Sequence, residues 1–151
     1  MYRRGFNSFQ VLAPGAVMAM AIGVIGEEIG FRGYLLPLLL KQHNSLKTSI
    51  ILGVLWAFWH AAYYGEGFGF LLFAVGTIAL SIIMTWLYHK SNGNVIAAVL
   101  FHFSMNFCAA IIPESKMSDL TRRAIFAVVS MVPAIILIFV SPVFRSKKNG
   151  A

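Results

Sequence analysis

Gly26-Glu27-Glu28-Ile29-Gly30-Phe31-Arg32 interrupts an apolar run: no charged residue occurs from Val11 to Ile25, and none from Gly33 to Leu40. Two adjacent carboxylates and a guanidinium therefore stand where the surroundings resemble hydrocarbon. Insertion scales put a central Asp, Lys or Arg at about 2.5–3.5 kcal/mol each, so such groups persist when paired or hydrated and mark functional sites by default. On a helix Glu28 and Arg32 are four residues apart and face each other, able to neutralise their charges. Glu27 points about 100° away from Glu28 and is left as the carboxylate without a local partner. The bland alternative is a structural ion pair that clamps two helices.

The rest of the chain supports a membrane setting. At 151 residues it is one domain by length. Hydrophobic residues make up 59% and charged residues 11%, against ~25% charged in soluble domains. Several stretches are long enough to cross a bilayer, so the expected fold is all-α: a polytopic membrane helical bundle of about five transmembrane helices around a polar intramembrane cavity. That makes an integral, multi-pass protein, in the cell membrane if bacterial, with the lipid bilayer as its first partner. The net charge of +7 is not a nucleic-acid signal. Its basic residues lie at the ends of apolar segments (Arg3, Arg4, Lys41, Lys47, Lys90, Lys116, Arg122, Arg123, Arg145, Lys147, Lys148), as in loops beside a membrane, with Arg32 the exception. A nucleic-acid partner is excluded on that ground. A lone Cys108 excludes an internal disulfide.

Five helices are predicted, at about Phe9–Leu40, Thr48–Tyr64, Phe68–His89, Val95–Ile112 and Leu120–Phe144, followed by a basic tail over 145–151. The first would reach about 48 Å against a hydrocarbon core of ~30 Å, so it must tilt, protrude or break. Gly30, Gly33 and Pro37 are the expected bend points. Asn44 or Ser45, Asn94, and Ser118 or Asp119 are the expected caps, and Pro133 is expected to kink the fifth helix. Arg3-Arg4 with Ala19-Met20-Ala21 has the outline of a signal peptide. Cleavage there would free the Glu-Glu-Arg stretch from the helix presenting it, so the segment is read as part of the mature chain. His43 and His89 read as solvent-facing, and Glu66, Glu114 and Asp119 as loop charges.

The polar residues at membrane depth are few: Glu27, Glu28, Arg32, His60, His102 and Asn106. His102 and Asn106 share a helix face, and His60 lies one turn after Trp56. A lone His on an apolar helix is usually satisfied within the packing. Three helices each offering a polar group point instead to one cavity, the way bundles build sites. A carboxylate withdrawn from water is a stronger base, so a water between Glu27 and His60 could be deprotonated to attack a carbonyl. His102 and Asn106 could donate to the developing oxyanion, each donor being worth about 2.7–4 kcal/mol. Ser104 faces away from His102, and Cys108 has no evident base, so activated water is favoured over a covalent nucleophile. A zinc site from Glu27, His60 and His102 is the alternative, a Glu and two His, although no His-Glu-x-x-His pair preorganises it. A proton relay or small transporter also fits Glu and His at depth, but five spans without inverted repeats argue against it.

The motifs Glu27-Glu28-x-x-x-Arg32, Trp56-x-x-x-His60 and His102-x-x-x-Asn106, each in its own apolar segment and in this order, resemble the CAAX amino-terminal protease and bacteriocin-processing (abortive-infection) family of intramembrane glutamic endopeptidases. That group includes the Ras and a-factor converting enzyme. The resemblance covers roughly Gly23 to Phe107. It implies a metal-independent CAAX-type endopeptidase, a hydrolase needing no cofactor. Glu27 would be the catalytic base, His60 its partner in activating water, His102 and Asn106 the oxyanion hole, and Glu28 and Arg32 the support. The substrate would be a peptide or membrane protein, lipidated on Cys in the CAAX case. The family's second motif usually begins with Phe, where Trp56 keeps an aromatic wall. Family members usually carry further helices before the first motif. The single membrane-embedded protease-like domain 1–151 is therefore read as a minimal member or as a fragment. The rival outcome is bacteriocin self-immunity by binding, without proteolysis.

Overall fold

The computed structural model describes residues 13–64, 67–111 and 117–145, and every regular element among them is helical. The described residues open with α1, Pro14–Glu28, whose proline stands at the helix start, where its missing N–H would have no intrahelical partner in any case. From Ile29 to Leu35 the backbone runs as a π-helix, π1, and α2 follows at Leu36–Leu40. Pro37 explains where the ladder changes: it has no N–H to give to Gly33, four residues back. The Leu36 N–H instead reaches Phe31 O, five residues back. The irregularity expected at Gly30, Gly33 and Pro37 takes the form of this wider turn. Residues 9–12 of the predicted helix lie outside the described residues.

α3, Ser45–Trp59, starts three residues before the expected Thr48, because Asn44 Oδ1 accepts the Lys47 N–H at 2.9 Å and caps it there. It ends before the expected Tyr64. His60 adopts φ −94°, ψ 1°, and the short α4, Ala61–Tyr64, resumes after it. α5 is Phe68–Lys90. A turn with positive φ at Asn92 and Gly93 follows, and Asn94 Oδ1 accepts the Ile96 N–H at 2.9 Å to open α6, Val95–Ile111. Ser118 Oγ accepts the Thr121 N–H at 3.1 Å and caps α7, Asp119–Val140. Pro133 lies inside α7 without ending it. Ser141 turns extended and Pro142 opens α8, Pro142–Arg145, so the last long helix stops at Val140 and not at Phe144.

Three helical stretches are long and apolar enough to cross a membrane: Pro14–Leu40, Phe68–Lys90 and Asp119–Val140. α3 and α6, apolar but only 15 and 17 residues long, reach about 22 and 25 Å, short of the ~30 Å core. Five predicted spans thus resolve into three full-length helices and two shorter ones among the described residues. The chain is a helical membrane bundle and an integral membrane protein.

α5 is the centre. Half of its apolar window is buried, against 17% for α7 and 11% for Pro14–Leu40. Two glycines allow its close crossings. A Cβ at Gly53 would lie 2.6 Å from the Ile78 Cα, and one at Gly76 would run into the Phe126 ring, the small-residue contact typical of membrane bundles. Trp56, Leu80, Met84 and Ala98 form one buried cluster, with Phe31, Phe101, Met105 and Phe126 packed against it. His89, read as solvent-facing, is half-buried and lies 3.1 Å from Ser45 Oγ on α3. Large apolar side chains such as Met18, Ile22, Val128 and Phe139 face outward, which suits acyl chains as solvent.

Candidate active site

The junction of α1 and π1 carries the two carboxylates in opposite roles. Glu28 is fully buried and Arg32 nearly so, at 0% and 1% exposure. Arg32 NH1 donates to Glu28 Oε1 at 3.1 Å, the pair expected from their spacing. The same Oε1 also accepts from His102 Nδ1 at 2.8 Å, a bond that ties α6 to the junction across 74 residues of sequence. A carboxylate only accepts, so Nδ1 carries the proton. The other ring nitrogen, Nε2, is then the one available to the cavity that His102 lines.

Glu27 is half-buried. Its Oε2 accepts from the Trp56 indole Nε1 at 2.8 Å, and its Oε1 stands 3.7 Å from His60 Nε2. His60 Nδ1 lies 3.0 Å from the Trp56 carbonyl oxygen. A carbonyl cannot donate, so this nitrogen is the protonated one and, in the neutral ring, Nε2 is an acceptor. Two acceptors therefore face each other at 3.7 Å, and a water about 2.8 Å from each could donate to both. The end of α3 makes this possible. His60 sits in the sparsely populated bridge region of backbone space that active-site residues often occupy.

Trp56 joins the two halves. Its N–H holds Glu27, the Arg32 guanidinium lies 4.4 Å from its ring centroid, and His102 meets it edge-on at 5.0 Å. Cation–π contact helps a desolvated guanidinium. Trp56→Phe keeps the aromatic wall but deletes the N–H. A hydrogen bond to a charged group is worth about 1.5–3 kcal/mol, and the variant is expected to fold and to lose about tenfold or more in kcat as Glu27 loses its fixed orientation. Steady-state kinetics beside a thermal melt in detergent checks this, and an unchanged kcat would refute it.

A cavity of about 620 Å³ opens beside these groups. His60, His102, Asn106 and Trp56 line it, with Phe73, Leu80, Met105 and Phe126 as apolar wall. Asn106, one turn beyond His102, is exposed. Glu27 is not on the lining; it reaches the site through Trp56 and His60, which are. Asp119, Arg122 and Arg123 are also on the wall. By sequence these three are loop and membrane-edge charges, although their spacing of three and four residues is a visible pairing signal. Of the expected site residues, Glu27, His60 and Trp56 come together, Glu28, Arg32 and His102 come together, and Asn106 joins through the cavity. The Glu27, His60 and His102 set considered for zinc does not form a ligand group. Among the described residues no three His, Cys, Asp or Glu side chains converge to hold a metal, and His102 Nδ1 is turned to Glu28.

Comparison with known proteins agrees with the motifs. CAAX prenyl protease 2 of Methanococcus maripaludis is 29% identical over 160 residues, covering 95% of this chain and 56% of that protein. Lysostaphin resistance protein A of Staphylococcus haemolyticus is 29% identical over 144 residues, covering 92% of this chain and 39% of that protein. The Staphylococcus epidermidis protein of the same name is 29% identical over 124 residues, 79% of this chain and 31% of its own. The chain thus spans about half, or less, of the length of these relatives. No solved structure matches it. The Type II CAAX prenyl endopeptidase Rce1-like family matches residues 9–108, and the chain belongs to that family.

Proposed function

We propose that this chain carries the catalytic centre of an intramembrane endopeptidase that hydrolyses a peptide bond with water activated by Glu27 and His60. The observation that supports this best is the 3.7 Å approach of Glu27 Oε1 and His60 Nε2, two acceptors far apart in sequence, of which His60 lines the cavity. A water held between them gives a proton to Glu27 as its oxygen attacks the substrate carbonyl carbon. The oxyanion that forms is held by the Asn106 side-chain amide and by His102, whose ring Glu28 orients through Nδ1. Glu27 then returns the proton to the leaving nitrogen as the C–N bond breaks, giving a carboxylic acid and an amine. The family and the name of the Methanococcus relative favour a prenylated, CAAX-type peptide or protein as substrate.

The test is cleavage of a peptide library, including prenylated members, by protein reconstituted in vesicles, with products read by mass spectrometry. Cleavage is expected to persist in a chelator. Loss on chelation with recovery on added zinc would instead establish a metal, and no cleavage of any member would refute the hydrolase. The name lysostaphin resistance protein A among the relatives favours a second reading, immunity by binding. Glu27→Gln separates the two, because binding survives it and hydrolysis does not.

A further inference from the structure

His60 stands where α3 ends, in non-helical backbone geometry, and its imidazole turns about a side-chain torsion that is broad and roughly two-fold. A half-turn flip would carry Nε2 away from Glu27 and put a carbon in its place. The bond from Nδ1 to the Trp56 carbonyl oxygen, 3.0 Å long, opposes that flip at one edge of the ring. A ring contact opposes it elsewhere: Phe73 on α5 meets the imidazole at 5.8 Å between centroids and 61° between planes, an edge-on arrangement that aromatic pairs prefer. Phe73 is itself backed by a third ring. Phe126 on α7 stacks on it at 6.1 Å, with the planes 21° apart. Gly76, one turn after Phe73, seats Phe126, because a Cβ there would run into the Phe126 ring. A missing side chain on α5 thus lets a ring from α7 come down beside Phe73. Packing alone asks only for apolar volume at these positions, whereas a flat ring also fixes a plane.

The geometry points to Phe126 as a positioning residue for His60, acting through Phe73. The inference rests on the hydrolase reading for why the His60 orientation matters, and it adds a helix to the site: the family match covers residues 9–108, and α7 lies beyond them. Phe126 holds the Phe73 plane, Phe73 holds the imidazole plane, and Nε2 stays turned toward Glu27 Oε1. Neither phenyl ring takes part in proton transfer. Together they set the fraction of time for which the imidazole can share a water with Glu27, so their effect falls on kcat. Both rings also line the cavity, and a mere contact with substrate would show in KM instead.

The experiment uses the full chain in phosphatidylcholine nanodiscs, its four histidines isotope-labelled at ring Cε1 for NMR. His60→Gln and His102→Gln assign the two signals of interest. Phe126→Leu keeps apolar volume and removes the ring, Phe126→Tyr keeps the ring, and Gly76→Ala displaces Phe126 with all three rings present. In Phe126→Leu and Gly76→Ala the His60 signal is expected to broaden or double as a second ring orientation fills, which loss of a ring current alone does not cause. Phe126→Tyr should match the parent. His102 is the internal control: Phe126 also packs against the cluster containing Trp56, and Trp56 meets the His102 ring at 5.0 Å, so a disturbance spreading through Trp56 would reach both histidines. On a cleaved peptide the Leu and Ala variants should lose about tenfold to a hundredfold in kcat with KM nearly unchanged, and Phe126→Leu should cost nothing further on top of His60→Gln. A single sharp His60 signal in the variants overturns the inference whatever the rates do, and so does broadening of both histidines or a loss confined to KM. Gly76→Ala carries the test if Phe126→Leu does not fold. A doubled His60 signal in protein that cleaves no peptide upholds the inference and refutes the hydrolase.

Discussion

Glu27→Gln is expected to lower the hydrolysis rate by about 10²–10⁴-fold, the range for loss of a general acid–base group, with almost no change in stability. The argument is steric and chemical together. Gln has the shape of Glu, and its side-chain oxygen can still accept from Trp56 Nε1, which now holds the Glu27 carboxylate at 2.8 Å. What disappears is the basic oxygen that faces His60. Glu27→Ala should lose as much rate and in addition strand the indole N–H. Turnover on a cleaved peptide, set beside thermal unfolding in the same detergent, decides the matter. A variant that folds and keeps more than a tenth of wild-type turnover would remove Glu27 from the chemistry.

The second large effect is on stability. Glu28→Ala and Arg32→Ala should each destabilise the protein by about 3–5 kcal/mol, because removing one member of a buried ion pair leaves the other uncompensated. The pair sits at 0% and 1% exposure, and Glu28 Oε2, Arg32 Nε and Arg32 NH2 have no hydrogen-bond partner among the described residues. The existing bonds therefore carry much of what keeps these charges inside. The double variant should cost clearly less than the sum of the two singles, the signature of direct coupling. Glu28→Ala should also lose activity beyond what instability explains, since His102 loses the acceptor that fixes its ring. Unfolding of detergent-solubilised protein gives the energies. Single variants within 1 kcal/mol of wild type, or strict additivity, would show the pair to be dispensable.

Contacts that follow from spacing were legible in the sequence, and contacts that cross between helices were not. The Glu28–Arg32 pair follows from a four-residue interval on any helix, and the caps at Asn44, Asn94 and Ser118 from side chains that compete for free N–H groups. That Glu27 lacks a local partner was equally readable. Its actual partner, the Trp56 indole 29 residues on, was not, and neither was the bond from Glu28 to His102. Trp56 was read as an aromatic wall, and its N–H was overlooked. Helix ends were misjudged where a single residue decides them. His60 leaves helical geometry inside a run that is apolar on both sides, and Pro142 stops a helix whose hydrophobic pattern continues. Asp119, Arg122 and Arg123 looked like membrane-edge charges, because nothing in their own segment records that α7 packs against α5.

The π-helical stretch has a consequence for how this helix can evolve. A π turn holds one residue more than the regular repeat around it, and such turns are frequent at functional sites. Deleting one residue between Ile29 and Leu35 would let the backbone close into an unbroken α-helix at little conformational cost. The surplus residue is the one removed, so Leu36, now fully enclosed, would keep its phase to Glu27 and Glu28, whereas the same deletion in the regular turns of α1 would turn everything downstream by about 100°. Single-residue deletions after Arg32 in this segment should therefore be tolerated better than deletions within Pro14–Glu28.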